Sequence, residues 1–133
     1  MDFEKLKEIR NTGFIKEIGF ETTEIREGYA RGEVTLAPKH GNPIGSIHGG
    51  VIFTIADTIG GAAATSRGRF VTTLSGNINY LRPAIGSKKL FAESSEIKVG
   101  KNVCVYDVMI TDDTGREIAR ATMTYYYLKE VEF

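Results

Sequence analysis

The spacing of apolar and polar residues changes several times along the chain, and each change marks an element. In residues 2–11, Phe3, Leu6 and Ile9 recur every three positions with Lys and Glu between them, which predicts a short helix. Asp2 is placed to cap its start and Gly13 to stop it. A helix this short persists only when it packs on something. Residues 18–37 switch to a period of two. Ala30, Val34 and Leu36 share one parity, and Tyr29, Arg31, Glu33 and Thr35 the other. This predicts a half-buried strand that follows a turn near Glu27-Gly28 and ends at Pro38. The run 38–48 contains two prolines and two glycines, which predicts a loop without a regular element and places His40 on its surface.

From Gly49 to about Thr65 the period becomes helical. Ile52, Ile55, Ala56, Ile59, Gly60 and Ala63 form a broad apolar stripe, and Asp57 is the only charged residue. Such a helix is covered on most sides. Gly60 and Gly61 each cost about 1 kcal/mol of helix propensity relative to Ala, which is easiest to understand where another group passes very close. Beyond Ser66-Arg67-Gly68-Arg69 the chain alternates almost throughout, predicting strands over 70–81, 89–98, 102–111 and 117–128. Asp112-Asp113-Thr114-Gly115 reads as a hairpin turn. In 102–111, Cys104, Tyr106, Val108 and Ile110 line one face and Val103, Val105 and Met109 the other, so this strand is central or faces a second buried surface.

The order is helix, strand, long helix, then at least three antiparallel strands, with no run of βαβ units. This excludes a parallel nucleotide-binding sheet and points to an α+β fold with one long apolar helix against a curved antiparallel sheet. The sheet's second apolar face calls for a partner subunit, most simply a two-fold one. A length of 133 residues fits a single domain, 1–133, with a short N-terminal helix. Lys plus Arg is 17 and Asp plus Glu is 17, so no net charge argues for nucleic-acid binding. Cys104 is the only cysteine, which excludes an intramolecular disulfide and a cysteine-rich metal site; its place in the alternation predicts a small buried hydrophobe. The first ten residues mix both charges without an apolar core, and 49–65 is too short and too polar for a membrane span, so a cytoplasmic protein without a membrane partner is expected.

The candidate chemistry sits at Asn42-Pro-Ile-Gly-Ser-Ile-His48-Gly49-Gly50 and at Asp57. Glycines at a helix start leave the first N–H groups open, where the helix dipole amounts to about half a positive charge, a fit for a developing oxyanion. The same glycines also serve a tight turn. Asp57, among apolar neighbours, is either a general base or nucleophile beside small residues such as Gly61, or a carboxylate tied to an arginine. His48 is an acid or base, a carbonyl ligand or an orienting side chain. The spacing of His40, His48 and Asp57 matches no metal motif. A Gly-x-Ser-x-Gly elbow is absent.

The stretch from Asn42 through His48-Gly49-Gly50 to Asp57-Thr58 resembles that of hotdog-fold acyl-CoA thioesterases of the phenylacetic-acid-degradation type, and Asn77-Ile-Asn-Tyr80-Leu-Arg82-Pro83-Ala84 resembles the strand and turn that follow. The likeness spans about residues 14–128. It implies a curved antiparallel sheet wrapped around one long central helix, homodimers with sites at the interface, and pairing of dimers into tetramers. It also implies roles: Asp57 as the catalytic carboxylate, Gly49 as the N–H that polarises the thioester carbonyl, Asn42 as a loop side chain positioning substrate or water, and His48 as a support for that loop. A hydroxyl on the strand after the helix assists the carboxylate, Thr73 by alignment, or Ser75 with a register slip of two, on a strand face shared with Asn77 and Asn79. The implied activity is hydrolysis of an aryl-acetyl or medium-chain acyl-CoA to free acid and coenzyme A, with coenzyme A as part of the substrate and no cofactor. The acyl group stays open, with pocket width expected to depend on how Phe53, Ile55 and Ile59 meet the partner. An enoyl-thioester hydratase of the same fold and a non-catalytic acyl-CoA-binding protein are the alternatives.

Overall fold

The computed structural model describes residues 1–133. Two short helices, α1 (Phe3–Arg10) and α2 (Gly13–Glu17), precede strands β1 (Phe20–Arg26) and β2 (Tyr29–Thr35). The long helix α3 (Gly49–Thr65) follows, then β3 (Arg69–Tyr80), β4 (Lys89–Val99), β5 (Val103–Asp112) and β6 (Glu117–Glu130). All six strands join one sheet in the order β1-β2-β4-β5-β6-β3, and every adjacent pair is antiparallel. The expected α+β arrangement is present: one long helix against one antiparallel sheet. No helix is long and apolar enough to cross a membrane.

Three local expectations need correction. The alternating stretch 18–37 is a hairpin of two strands, β1 and β2, turning at Gly28, whose φ of 76° is in the left-handed region. Gly13 does not stop α1. Asn11 is the C-cap, and Gly13, at φ 59°, opens α2. Asn11 Oδ1 accepts from Thr22 N–H at 2.8 Å and its Nδ2 donates to Thr22 O at 3.1 Å, so one side chain fastens the helical arm to β1. The loop before α3 also contains a regular piece, a 3-10 turn at Pro38–His40, because proline is well tolerated in the first turn.

His40 is buried (2% exposed), not a surface residue. Its Nδ1 accepts from Ala37 N–H at 2.9 Å and its Nε2 meets Ile18 O at 2.6 Å. A carbonyl only accepts and a backbone N–H only donates, so Nδ1 serves as the acceptor and Nε2 as the donor. His40 is a peg under the loop. His40 O also accepts from His48 N–H at 2.8 Å, closing the loop at its base.

The core lies between α3 and the concave face of the sheet. Ile55, Ile59, Leu90, Tyr106, Ile110 and Met123 are fully buried in one cluster, each apolar side chain contributing about 1.5–3 kcal/mol. Ile55 and Ile59 therefore face this chain's own interior and cannot set a pocket against a partner; Phe53 stays half-buried. Cys104 is fully buried on the same face, as its place in the alternation predicts. On the convex face Val103 and Met109 of β5 and Tyr126 and Leu128 of β6 are exposed. β3 is an edge strand of twelve residues, none of them buried.

Candidate active site

Asp57 is the only charged side chain in α3 and is half-buried. Its Oδ1 accepts a hydrogen bond from Thr73 Oγ1 at 2.8 Å. A β-bulge makes this contact possible. β3 pairs with β6 as Thr73 opposite Tyr125 and Ser75 opposite Thr124, so an extra residue sits between them. Thr73 shares the helix-facing parity of Val71, opposite Tyr125 and Tyr127. Beyond the bulge that parity passes to Gly76, Ile78 and Tyr80, opposite Met123, Ala121 and Ala119. Ser75, Asn77 and Asn79 thus lie on the other face. They form no polar wall with Thr73, and Ser75 does not reach Asp57.

Two groups outside the expected set complete this end. Tyr125 Oη donates to Asp57 O at 2.9 Å. Burial, with the neighbouring Asp57, pushes the Tyr125 hydroxyl far up, so it stays protonated and remains a donor. Arg10 Nη2 donates to Thr58 O at 3.1 Å. The costly glycine pair is explained here: a Cβ at Gly60 would collide with Tyr125 Oη, and one at Gly61 would sit 3.0 Å from Arg10 Nη2. Arg10, Asp57, Gly61, Thr73 and Tyr125 share a cleft of about 260 Å³. Sequence reading singled out neither Arg10 nor Tyr125; the Gly60-Gly61 pair was the available signal.

The other end of α3 is built from the preceding loop. His48 is the N-cap, and its Nδ1 accepts from Gly50 N–H at 2.8 Å. Val51 N–H goes to His48 O. Gly49 N–H is left without an acceptor at the positive end of the helix. Tyr80 Oη donates to Gly49 O at 2.9 Å, and its ring lies 3.3 Å from where a Gly49 Cβ would stand, so the N–H is flanked by an aromatic wall. Gly49 and Tyr80 share a cleft of about 330 Å³ with Arg82. Asn42 braces the loop: Oδ1 accepts from Ile44 N–H and Ser46 N–H, and one Nδ2 hydrogen is donated to Ser46 Oγ. A larger concavity, about 510 Å³ near Asn77, Asp107 and Arg120, lies on the convex side of the sheet, away from Asp57.

The structure thus joins Thr73 to Asp57 and sets His48, bonded to Gly50 N–H, beside Gly49, but does not bring one pair to the other. Asp57 is eight residues past Gly49, which on an α-helix is about 12 Å along the axis. Reacting groups must approach to roughly 3–3.5 Å. One carbonyl cannot meet both ends of the same helix.

Comparison with known proteins places this geometry. The thioesterase superfamily model matches residues 44–119. A putative esterase of Thermoplasma acidophilum is 33% identical over 128 residues, covering 94% of this chain and 96% of that protein. The acyl-coenzyme A thioesterase PaaI of Escherichia coli is 29% identical over 109 residues, covering 82% of this chain and 78% of PaaI. The solved E. coli PaaI structure superposes with a TM-score of 0.87 at 26% identity, over 93% of this chain and 90% of that one. A Streptococcus mutans protein solved with acetyl-CoA bound superposes with a TM-score of 0.80 at 30% identity, over 85% and 91%. The matched span begins in the loop before α3 and runs into β6, taking in Gly49, Asp57 and Thr73, and the chain is a member of the thioesterase superfamily built on the hotdog fold.

Proposed function

We propose that the protein hydrolyses acyl-CoA thioesters to a free acid and coenzyme A, at sites shared between two copies of the chain. The observation that carries this reading is the pairing of a hydrogen-bonded helical carboxylate, Asp57, with an open N–H at the start of the same helix, Gly49. The similarity to PaaI and to a protein that holds acetyl-CoA supports the substrate class.

The 12 Å separation is resolved by a second copy. Thr73 marks the carboxylate end on β3 and Tyr80 the N–H end. The bulge adds a residue without adding a pairing step, so the midpoint between them falls at Asn77. Two β3 edges paired antiparallel about that point set Thr73 of one copy opposite Tyr80 of the other. Asp57 then faces the second copy's Gly49. Such pairing also covers an edge strand that is otherwise an open template. Exposed Val103, Tyr126 and Leu128 on the convex face support a further pairing of dimers into a tetramer.

The thioester oxygen accepts from Gly49 N–H, and charge developing there meets the helix dipole. A single such donor is worth about 3–4 kcal/mol in other hydrolases. Asp57, oriented by Thr73, takes a proton from attacking water, or attacks the carbonyl carbon itself. In the first route a C–O bond forms from water to the carbonyl carbon, the C–S bond breaks, and the sulfur leaves as the thiol with the proton Asp57 took. In the second the C–S bond breaks to leave an acyl anhydride on Asp57 and a thiolate that takes a proton from water, and a second water then hydrolyses the anhydride to the free acid. His48 holds the helix start through Gly50 N–H, Asn42 holds the loop, and no resident cofactor enters the reading.

Free-thiol release by wild type and Asp57→Asn, over a panel of aryl- and alkyl-CoA esters, tests this. Turnover of at least one ester and a loss of about a hundredfold or more in the variant is expected for a group in proton transfer. No turnover by a folded wild type would reject hydrolysis and bring hydration of enoyl-CoA, or binding alone, to the front.

A further inference from the structure

Arg10 ends α1, outside the span matched by the family, yet it lines the Asp57 cleft. Its Nη2 donates to Thr58 O, one residue past Asp57, and crosses α3 at Gly61, where no side chain blocks it. Its Nε is buried without an acceptor. None of the ion pairs within the chain includes it. A guanidinium keeps its charge even when buried, and a buried charge needs compensation. Burial draws Arg10 down from the usual arginine range, while Tyr125 and Asp57 act in the opposite sense. Asp57 is the carboxylate in its cleft.

We infer that Arg10 is a positioning residue for Asp57: α1 carries a guanidinium against the helix segment that holds the carboxylate, fixing that backbone and supplying its countercharge. The N-terminal arm is then part of the active site, not only a cover for β1. Three donors converge on one short stretch, Arg10 on Thr58 O, Tyr125 on Asp57 O and Thr73 on Asp57 Oδ1, each from a different element. The groups facing Asp57 are therefore Arg10 from α1, the Thr73 hydroxyl from β3 and Tyr125 from β6. α3 itself has no other charge, and in the paired assembly the second copy's His48 joins them.

The inference rests on Asp57 being the working carboxylate, but its test needs no turnover. Protein labelled with ¹³C at aspartate carboxyl carbons is titrated by NMR as wild type, Arg10→Gln, Arg10→Met and Arg10→Lys, with Asp57→Asn identifying the resonance. Gln keeps a polar donor without charge, Met keeps the aliphatic packing, and Lys keeps the charge. The Asp57 midpoint rises by about one pH unit in whichever neutral variants fold, the shift expected for losing a nearby opposite charge, and stays near wild type in Arg10→Lys. In the active enzyme the acid limb of kcat/KM moves with it. An unchanged midpoint in a folded neutral variant would overturn the inference and leave Arg10 as a tether for α1. Absence of turnover in wild type would reject the thioesterase reading and leave this titration interpretable.

Discussion

The Thr73 hydroxyl donates to Asp57 Oδ1 at 2.8 Å, tying an exposed edge strand to the one charged position of a helix that is otherwise apolar or uncharged. A hydrogen bond to a charged group is worth about 1.5–3 kcal/mol. Thr73→Val removes it with little change of shape. The expected result is a loss of about 10- to 150-fold in kcat, with KM nearly unchanged, and recovery by Thr73→Ser. Ser75→Ala, on the opposite sheet face, leaves kcat at the wild-type level. Steady-state thiol release checks all three.

Tyr125 crosses α3 at Gly60. On propensity alone Gly60→Ala would stabilise the helix by about 1 kcal/mol. The collision with Tyr125 reverses the sign, and overpacking of this kind costs about 1–3 kcal/mol. Chemical denaturation is expected to show Gly60→Ala less stable than wild type. Adding Tyr125→Phe, which removes the colliding hydroxyl, returns part of the loss. Additive effects in the double variant would contradict the contact.

Much of this arrangement was legible in the residues. The period-3.6 stripe with Asp57, the glycine-opened helix start and the Asp112–Gly115 turn are local features, and they fold as local features do. The bulge at Thr73–Ser75 was not legible, because alternation by twos cannot show where one residue is inserted. That single insertion decides which hydroxyl meets Asp57. Composition marks the His40 loop as polar and exposed, whereas two backbone partners make its buried imidazole acceptable. The resemblance gives Asn42 a role toward substrate or water, while pattern alone does not show the loop bonds its amide makes with Ile44 and Ser46. Arg10 is separated from Asp57 by 47 positions, and no pattern within α1 points inward at its end.

Asp112 anchors the β5–β6 hairpin. Its carboxylate is fully buried and accepts from Ser87 Oγ, Thr114 N and Oγ1, and Arg116 N, Nε and Nη2. Burial alone would raise its pKa, but the hydrogen bonds from Thr114, Ser87 and Arg116 hold it well below the usual carboxylate range. A depressed folded value means the stabilisation is complete above the unfolded value, near 3.9, and fades as pH falls below it. Asp112→Asn is expected to cost about 3 kcal/mol at pH 7, the low end for breaking a buried pair, since Arg116 is half exposed. Urea unfolding from pH 7 down to about pH 2 should show the gap between the two proteins holding to about pH 4 and narrowing below it. A constant difference across that range would rule out the carboxylate as its source.

The shared site is the central claim, and mixing two inactive chains tests it most directly. Gly49→Pro deletes the open N–H, and proline suits the backbone here: Gly49 is the first helical residue, and His48 at φ −59°, ψ 130° already has the backbone that precedes proline, so only the Tyr80 ring, 3.3 Å from the new Cβ, has to give slightly. Asp57→Asn removes the carboxylate. Each variant alone is inactive at both of its sites. After unfolding and refolding together in equal amounts, half the dimers are mixed, and in each of these one site joins an intact Asp57 to an intact Gly49. Activity is then expected to return to about a quarter of the wild-type level. A mixture that forms mixed dimers and stays as inactive as its parts would place both groups in one chain and contradict the account.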